Sequence, residues 1–358
     1  MRHEIETLAD LDARLRASGS LASCVIQALD LRGRGEALTQ ARVHNALFLG
    51  CRLKHRVATA LVTRGATVFP RLPDVPFDAY RPRLYSPEEL YADLETGYAD
   101  TLDGRVYAWT RADRSQHVDA GVAQSLHDHF ISDELDVAVE DSHRAVGVMG
   151  GHGVGRGTIE FHQAARLGRS LAEAGLLVLT GGGPGAMEAA NLGASLKGSE
   201  AELTAACTLL GEVPSFTPDA TAWATVAFTA RRRWNCTRPT IGIPTWHYGH
   251  EPPNVFATSI AKYFDNAIRE DMLLRVCRAG IIYVPGKAGT TQEIFQTATP
   301  NYYAGSPDEV TPMVLVGRDY WENKIPAWPL LAHLAQGRAM AEQVHLVDTI
   351  EEAIAILT

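Results

Sequence analysis

After about Asp141, short uninterrupted apolar runs alternate with longer segments whose apolar residues recur at helical spacing. Residues 144–150 (RAVGVMG) read as a buried strand. Residues 159–174 place Ala164, Leu167, Leu171 and Ala174 on one helical face before Gly175 stops them. Residues 176–180 (LLVLT) predict the next strand and 186–196 the next helix. Further strands are expected at 240–244, 280–284 and 312–316, with a short one at 344–347. Helices are expected over 199–210, over 254–278 with a break, and over 291–298. Strand, helix, strand with short connections requires parallel pairing through crossovers. The expected fold is α/β: a Rossmann-like doubly wound parallel sheet of five or six strands over residues 140–358.

The first 135 residues read as a smaller α/β domain. Strands are expected at 23–29, 46–51 and 67–70, and a helix at 54–63, before a proline-rich stretch at 70–83. Ser86-Pro87-Glu88-Glu89 is a strong helix start: a capping hydroxyl, proline at the first helical position and acids in the first turn. A helix over 116–141 joins the two parts. No motif in this domain carries recognisable chemistry.

Composition narrows the function classes. With 33 basic and 42 acidic residues the net charge is −9, which argues against nucleic acid as a partner. The apolar fraction of 46% excludes a disordered chain. No apolar run reaches the ~18 residues a membrane span needs, so no membrane partner is expected. Met1-Arg2-His3-Glu4-Ile5-Glu6 has no apolar leader core. Five scattered cysteines without a CxxC pair fit free thiols, and the expected location is cytoplasmic. His247 and His250 lack a nearby third ligand, so no metal site is expected.

Glycine is in excess, and part of that excess is concentrated. Gly150 to Gly157, Gly181 to Glu188 and Pro285 to Glu293 are glycine-rich turns, each after an expected strand and before an expected helix. Such turns let backbone N–H groups and a helix N-terminus approach an anion. One alone is as well explained as a tight turn; three at strand ends point to a phosphate or nucleotide site. Gly151-x-Gly153-x-x-Arg156 lacks the third glycine of a dinucleotide fingerprint, and no loop continues as a Walker A sequence. No cofactor is therefore expected. In the third loop Thr290 starts a helix, and Glu293 follows about one turn later. Its ordinary role would be a first-turn acid facing the helix dipole. His247, Tyr248, His250 and Glu251 follow a strand end and are candidates for recognising a base.

The segments GGGPGAMEAANLGA (181–194) and PGKAGTTQE (285–293) resemble the LONELY GUY family of nucleoside 5′-monophosphate phosphoribohydrolases, whose pattern is PGGxGTxxE with an arginine in the preceding helix. Arg269 matches that arginine, with Arg275 as a fallback, and the resemblance spans roughly 144–320. Lys287 replaces the second glycine, Glu270 stands where a lysine usually follows the arginine, and Gly151 and His152 replace two serines. The long N-terminal part is closer to the larger bacterial nucleotide nucleosidases. The resemblance implies hydrolysis of the N-glycosidic bond of nucleoside monophosphates such as AMP. Glu293 would stabilise the oxocarbenium-like charge and Arg269 would orient it. Gly183, Gly185, Gly286, Gly289 and Thr290 would hold the phosphate. Met187 and Glu188 would line the pocket, with Gly151 and His152 near the base or ribose. The resemblance also implies a homo-oligomer. The competing expectation is a non-catalytic nucleotide, alarmone or cofactor carrier built on the same shell, favoured by the altered PGKAGT loop.

Overall fold

The computed structural model describes residues 3–72, 74–112, 117–140, 144–247 and 251–358. The chain forms two compact units that interleave in sequence: Met1–Arg83 with Ala112–Glu134, and Leu84–Arg111 with Leu135–Thr358. Residues 84–111 thus fold with the C-terminal unit rather than with the first 135 residues.

The first unit contains a four-stranded parallel sheet in sequential order: β1 (His3–Ile5), β2 (Cys24–Gln27), β3 (Leu47–Leu49) and β4 (Thr67–Phe69). Helices Leu8–Ser18, Gly35–Gln40 and His55–Thr63 connect the strands. Ile5, Leu11, Ile26, Leu38, Phe48 and Leu61 form its core. β1 escapes a reading of apolar runs because only Ile5 of its three residues is buried. Thr7 marks the first helix, its hydroxyl accepting the Asp10 N–H at 3.1 Å.

The second unit holds seven strands rather than five or six: β5 (Ala145–Met149), β6 (Leu177–Thr180), β7 (Thr240–Gly242), β8 (Ser259–Ile260), β9 (Gly280–Tyr283), β10 (Met313–Val316) and β11 (Val344–Val347). All neighbours are parallel, in the order β11-β10-β9-β5-β6-β7-β8. β8 has two residues, too few to show a pattern. The helix expected over 254–278 exists only as Asn266–Arg275. Upstream, the Asn254 side chain accepts the N–H groups of Phe256 and Ala257, which holds the chain in a turn. The chain runs outward from β5 through β6, β7 and β8, then returns to place β9 on the other side of β5. That reversal is the switch point at which an open parallel sheet leaves a crevice. The glycine-rich loops follow β5, β6 and β9, the three strands around it. Among the described residues no helix is long and apolar enough to cross a membrane.

Candidate functional site

The loops after β5, β6 and β9 line one cavity of about 600 Å³. The Gly151 N–H donates to the Pro285 carbonyl at 3.2 Å and ties the first loop to the third. The Ala186 N–H donates to the Gly151 carbonyl at 3.2 Å and ties it to the second. Gly185 sits beneath this junction with φ +74, and a Cβ there would lie 2.6 Å from the carbonyl oxygens of Gly151 and His152. Gly185 therefore packs loop on loop and does not line the cavity, unlike Gly183.

The second loop is held from behind by amides that the sequence reading passed over. The Asn254 N–H donates to the Gly182 carbonyl at 2.9 Å, and its Nδ2 donates to Gly183 O and Asn191 Oδ1 at 3.1 and 3.0 Å. Thr180 Oγ1 donates to Asn191 Oδ1 at 2.7 Å, and Asn191 Nδ2 donates to Thr240 Oγ1 at 2.7 Å. All four side chains are fully buried, so their donors and acceptors must be matched internally.

The third loop opens the helix Ala288–Tyr303, which has no acidic residue in its first turn and no side-chain cap from Lys287. Its first N–H groups thus lack intrahelical partners and carry the positive end of the helix dipole. Gly286, Lys287, Gly289 and Thr290 all line the cavity. A Cβ on Gly286 would overlap the Thr290 hydroxyl, so no other residue fits without moving Thr290. Tyr320 closes this side, its hydroxyl donating to the Gly286 carbonyl at 2.8 Å.

Glu293 reaches the cavity one turn further on and is 7% exposed. Among the described residues its carboxyl makes no hydrogen bond. Burial pushes its pKa up to about 8; the Arg269 charge opposes this and the Glu270 charge adds to it. Arg269 also lines the cavity, but it is committed elsewhere. Its Nε donates to Ile243 O at 2.7 Å, its Nη2 to Gly181 O at 3.4 Å, and its Nη1 to Glu270 Oε1 at 2.6 Å. The expected hydrogen bond orienting Glu293 is absent: three of the five guanidinium N–H groups go to two carbonyls and the adjacent carboxylate, which set the direction of the fork. Arg275 is half exposed and paired with Asp136 at 2.9 Å, so it takes no part in the site.

Met187, Gly151 and His152 lie at the cavity as expected. Glu188 does not. It is fully buried and accepts from Arg156 Nε at 3.0 and 3.2 Å and from Arg156 Nη2 at 2.5 Å. Arg156 also donates to Trp223 O at 3.0 Å and stacks over the Trp223 ring. This pair is a support behind the first two loops. His247 is exposed, and its carbonyl accepts from Arg111 Nη2 at 3.1 Å; it does not line the cavity. Tyr248 and His250 fall outside the described residues. Glu251 does line the cavity, with Oε1 3.5 Å from His152 Nδ1. The remaining walls include Thr245, Gln292 and Glu270. The sequence showed Lys287 and Glu270 as departures from a pattern, without showing that both face the same space.

Residues 143–201, which carry β5, β6 and the first two loops, match the SLOG cluster4 family; the LONELY GUY family itself is not matched. No curated protein matches the chain. Among solved structures the chain is similar to the molybdenum cofactor binding protein from Rippkaea orientalis, at 19% identity over 59% of this chain and 93% of that one, with a TM-score of 0.34. It is also similar to the molybdenum cofactor carrier protein from Chlamydomonas reinhardtii, at 19% identity over the same shares, with a TM-score of 0.36. These structures are named for binding or carrying a cofactor, not for hydrolysis. The expectation of N-glycosidic hydrolysis, and of a nucleoside monophosphate as the partner, differs from what these structures are named for. The residues concerned are Glu293, raised in pKa, and Arg269, bonded away from it.

Proposed function

We propose that the cavity binds a phosphorylated small molecule and does not turn it over. The observation that carries this reading is the uncapped, acid-free first turn of Ala288–Tyr303, which faces a cavity also walled by two further glycine-rich loops and by Lys287. Backbone N–H groups, the dipole end and one lysine together favour an anion with several acceptor oxygens. A carboxyl with a pKa of about 8 is mostly neutral at pH 7 and offers little charge to a cationic transition state, which supports binding without turnover. The carrier role fits a cavity of about 600 Å³, a size that takes a ligand as large as a nucleotide or an organic cofactor.

Isothermal titration with methyl phosphate, glycerol 3-phosphate, AMP and the molybdenum cofactor tests this reading, with chromatography of the AMP mixture for free base. Saturable binding of phosphorylated compounds, competed by inorganic phosphate and without base release, is the expected result. Failure of every phosphorylated compound to bind, or steady release of base, overturns it.

A further inference from the structure

We infer that Glu270 selects the ligand through its non-phosphate part, accepting a hydrogen bond from a hydroxyl or N–H group and rejecting a second anion. This rests on the phosphate reading above and adds what the rest of the ligand must carry.

Glu270 is 3% exposed and lines the cavity. Its two oxygens are in different positions. Oε1 accepts from Arg269 Nη1 at 2.6 Å and from Asn266 Nδ2 at 3.4 Å. Oε2 is buried and has no donor among the described residues. A buried carboxylate oxygen left without a donor is costly, so a donor brought by a ligand is favoured by the removal of that cost. Arg269 cannot turn to serve a ligand anion without giving up the carbonyls of Ile243 and Gly181. Of the neighbouring acids that line the cavity, Glu251 brings no donor as a carboxylate and repels negative charge, and Glu293, held mostly neutral, brings no positive charge that would attract an anion. The favourable partner at this wall is therefore a polyol or an N–H-bearing ring, not a carboxylate or a second phosphate. In the LONELY GUY pattern a lysine usually stands at this position, so the preference belongs to this chain.

Two probes of similar size isolate the effect. Glycerol 3-phosphate ends in hydroxyl groups, 3-phosphoglycerate ends in a carboxylate, and both carry one phosphate. Methyl phosphate reports the phosphate subsite alone. NMR titration of the full chain at pH 7.5 should give glycerol 3-phosphate at least about 10-fold tighter binding than 3-phosphoglycerate, the scale of a hydrogen bond to a charged acceptor. In Glu270→Gln the ratio should fall below about threefold, because the charge that repels the carboxylate is gone. A wild-type ratio near one overturns the inference and needs no variant. A ratio unchanged in a folded Glu270→Gln protein also overturns it. Methyl phosphate separates the two levels: if it binds while the ratio is near one, only the role of Glu270 fails. If none of the three binds, the phosphate reading fails and this inference with it.

Discussion

After β3 in the first unit, Gly50 adopts φ +61, and the Tyr80 ring lies where a side chain on Gly50 would go. Tyr80 is held there at both ends: its carbonyl accepts from Gln27 Nε2 at 3.0 Å, and its hydroxyl donates to Pro70 O at 3.1 Å. After β9 in the second unit, a Cβ on Gly286 would meet the Thr290 side chain and, at 3.2 Å, the Gly151 nitrogen, and Gly286 itself lines the cavity. Both regions are parallel sheets with glycine just past a strand end. In one the strand end is covered by an aromatic ring; in the other a cavity bounded by charged groups stays open beside the glycine. Parallel topology offers a crevice, and the side chains that do or do not fill it decide whether a site exists there.

The largest expected effect separates what supports the loops from what faces the cavity. Glu188→Ala leaves Arg156 buried without its carboxylate and should cost about 3–5 kcal/mol in denaturant unfolding. A loss below ~1 kcal/mol would show that the pair is not the support described here. The next pair tests the two glycines directly. Gly50→Val should destabilise by about 2–4 kcal/mol, through positive φ and collision with Tyr80, and leave methyl phosphate binding intact. Gly286→Val should do the reverse, weakening that binding at least about 100-fold with a smaller effect on the melting temperature. Equal effects of both changes on binding would remove the contrast between the units.

Protonation sharpens it further. Glu293 has a pKa raised by burial from 4.5 to about 8, so between these values the folded state holds a proton that the unfolded state has lost. Stability from this group is full below pH 4.5 and falls as pH rises to 8, by on the order of 5 kcal/mol. Glu293→Gln should remove most of that slope in thermal melts across the range, and a wild-type slope that persists in the variant would contradict it. Lys287→Ala should weaken methyl phosphate about 3–10-fold and flatten its salt dependence without changing stability. The smallest effect is expected in the first unit. Partial burial, with Glu6 and Glu4 beside it, lifts Glu134 to about 7, and stability falls from pH 4.5 toward 7 as it ionises. Glu134→Gln should reduce this slope less than Glu293→Gln does in the higher range, because the group is partly solvated.

Much of the second sheet was legible because its strands are buried on both faces. AVGVM, LVLT, GIIY and MVLV are continuous apolar runs, and each is followed by turn residues. β1 and β8 were not, since three edge residues with only Ile5 buried, and two residues, carry no period. The helix expected from 254 failed because Asn254 spends its side chain on a turn, a local hydrogen-bond choice that hydrophobic spacing does not record. In the site, the loops were readable from glycine at strand ends. The pairing of Glu188 with Arg156 was not, because the two lie 32 residues apart and either could as well have faced solvent or ligand.

The sequence by itself determined the parallel α/β construction and the three glycine-rich turns, because burial period and backbone freedom are local properties written in consecutive residues. Tertiary structure alone decided which strand ends meet at the reversal around β5. It decided that Tyr80 fills one glycine's space while Gly286 faces an open cavity, and that Arg269 bonds Glu270 rather than Glu293. Those outcomes depend on which distant groups share a small volume, and hydrogen-bond partners and desolvation act across space rather than along the chain.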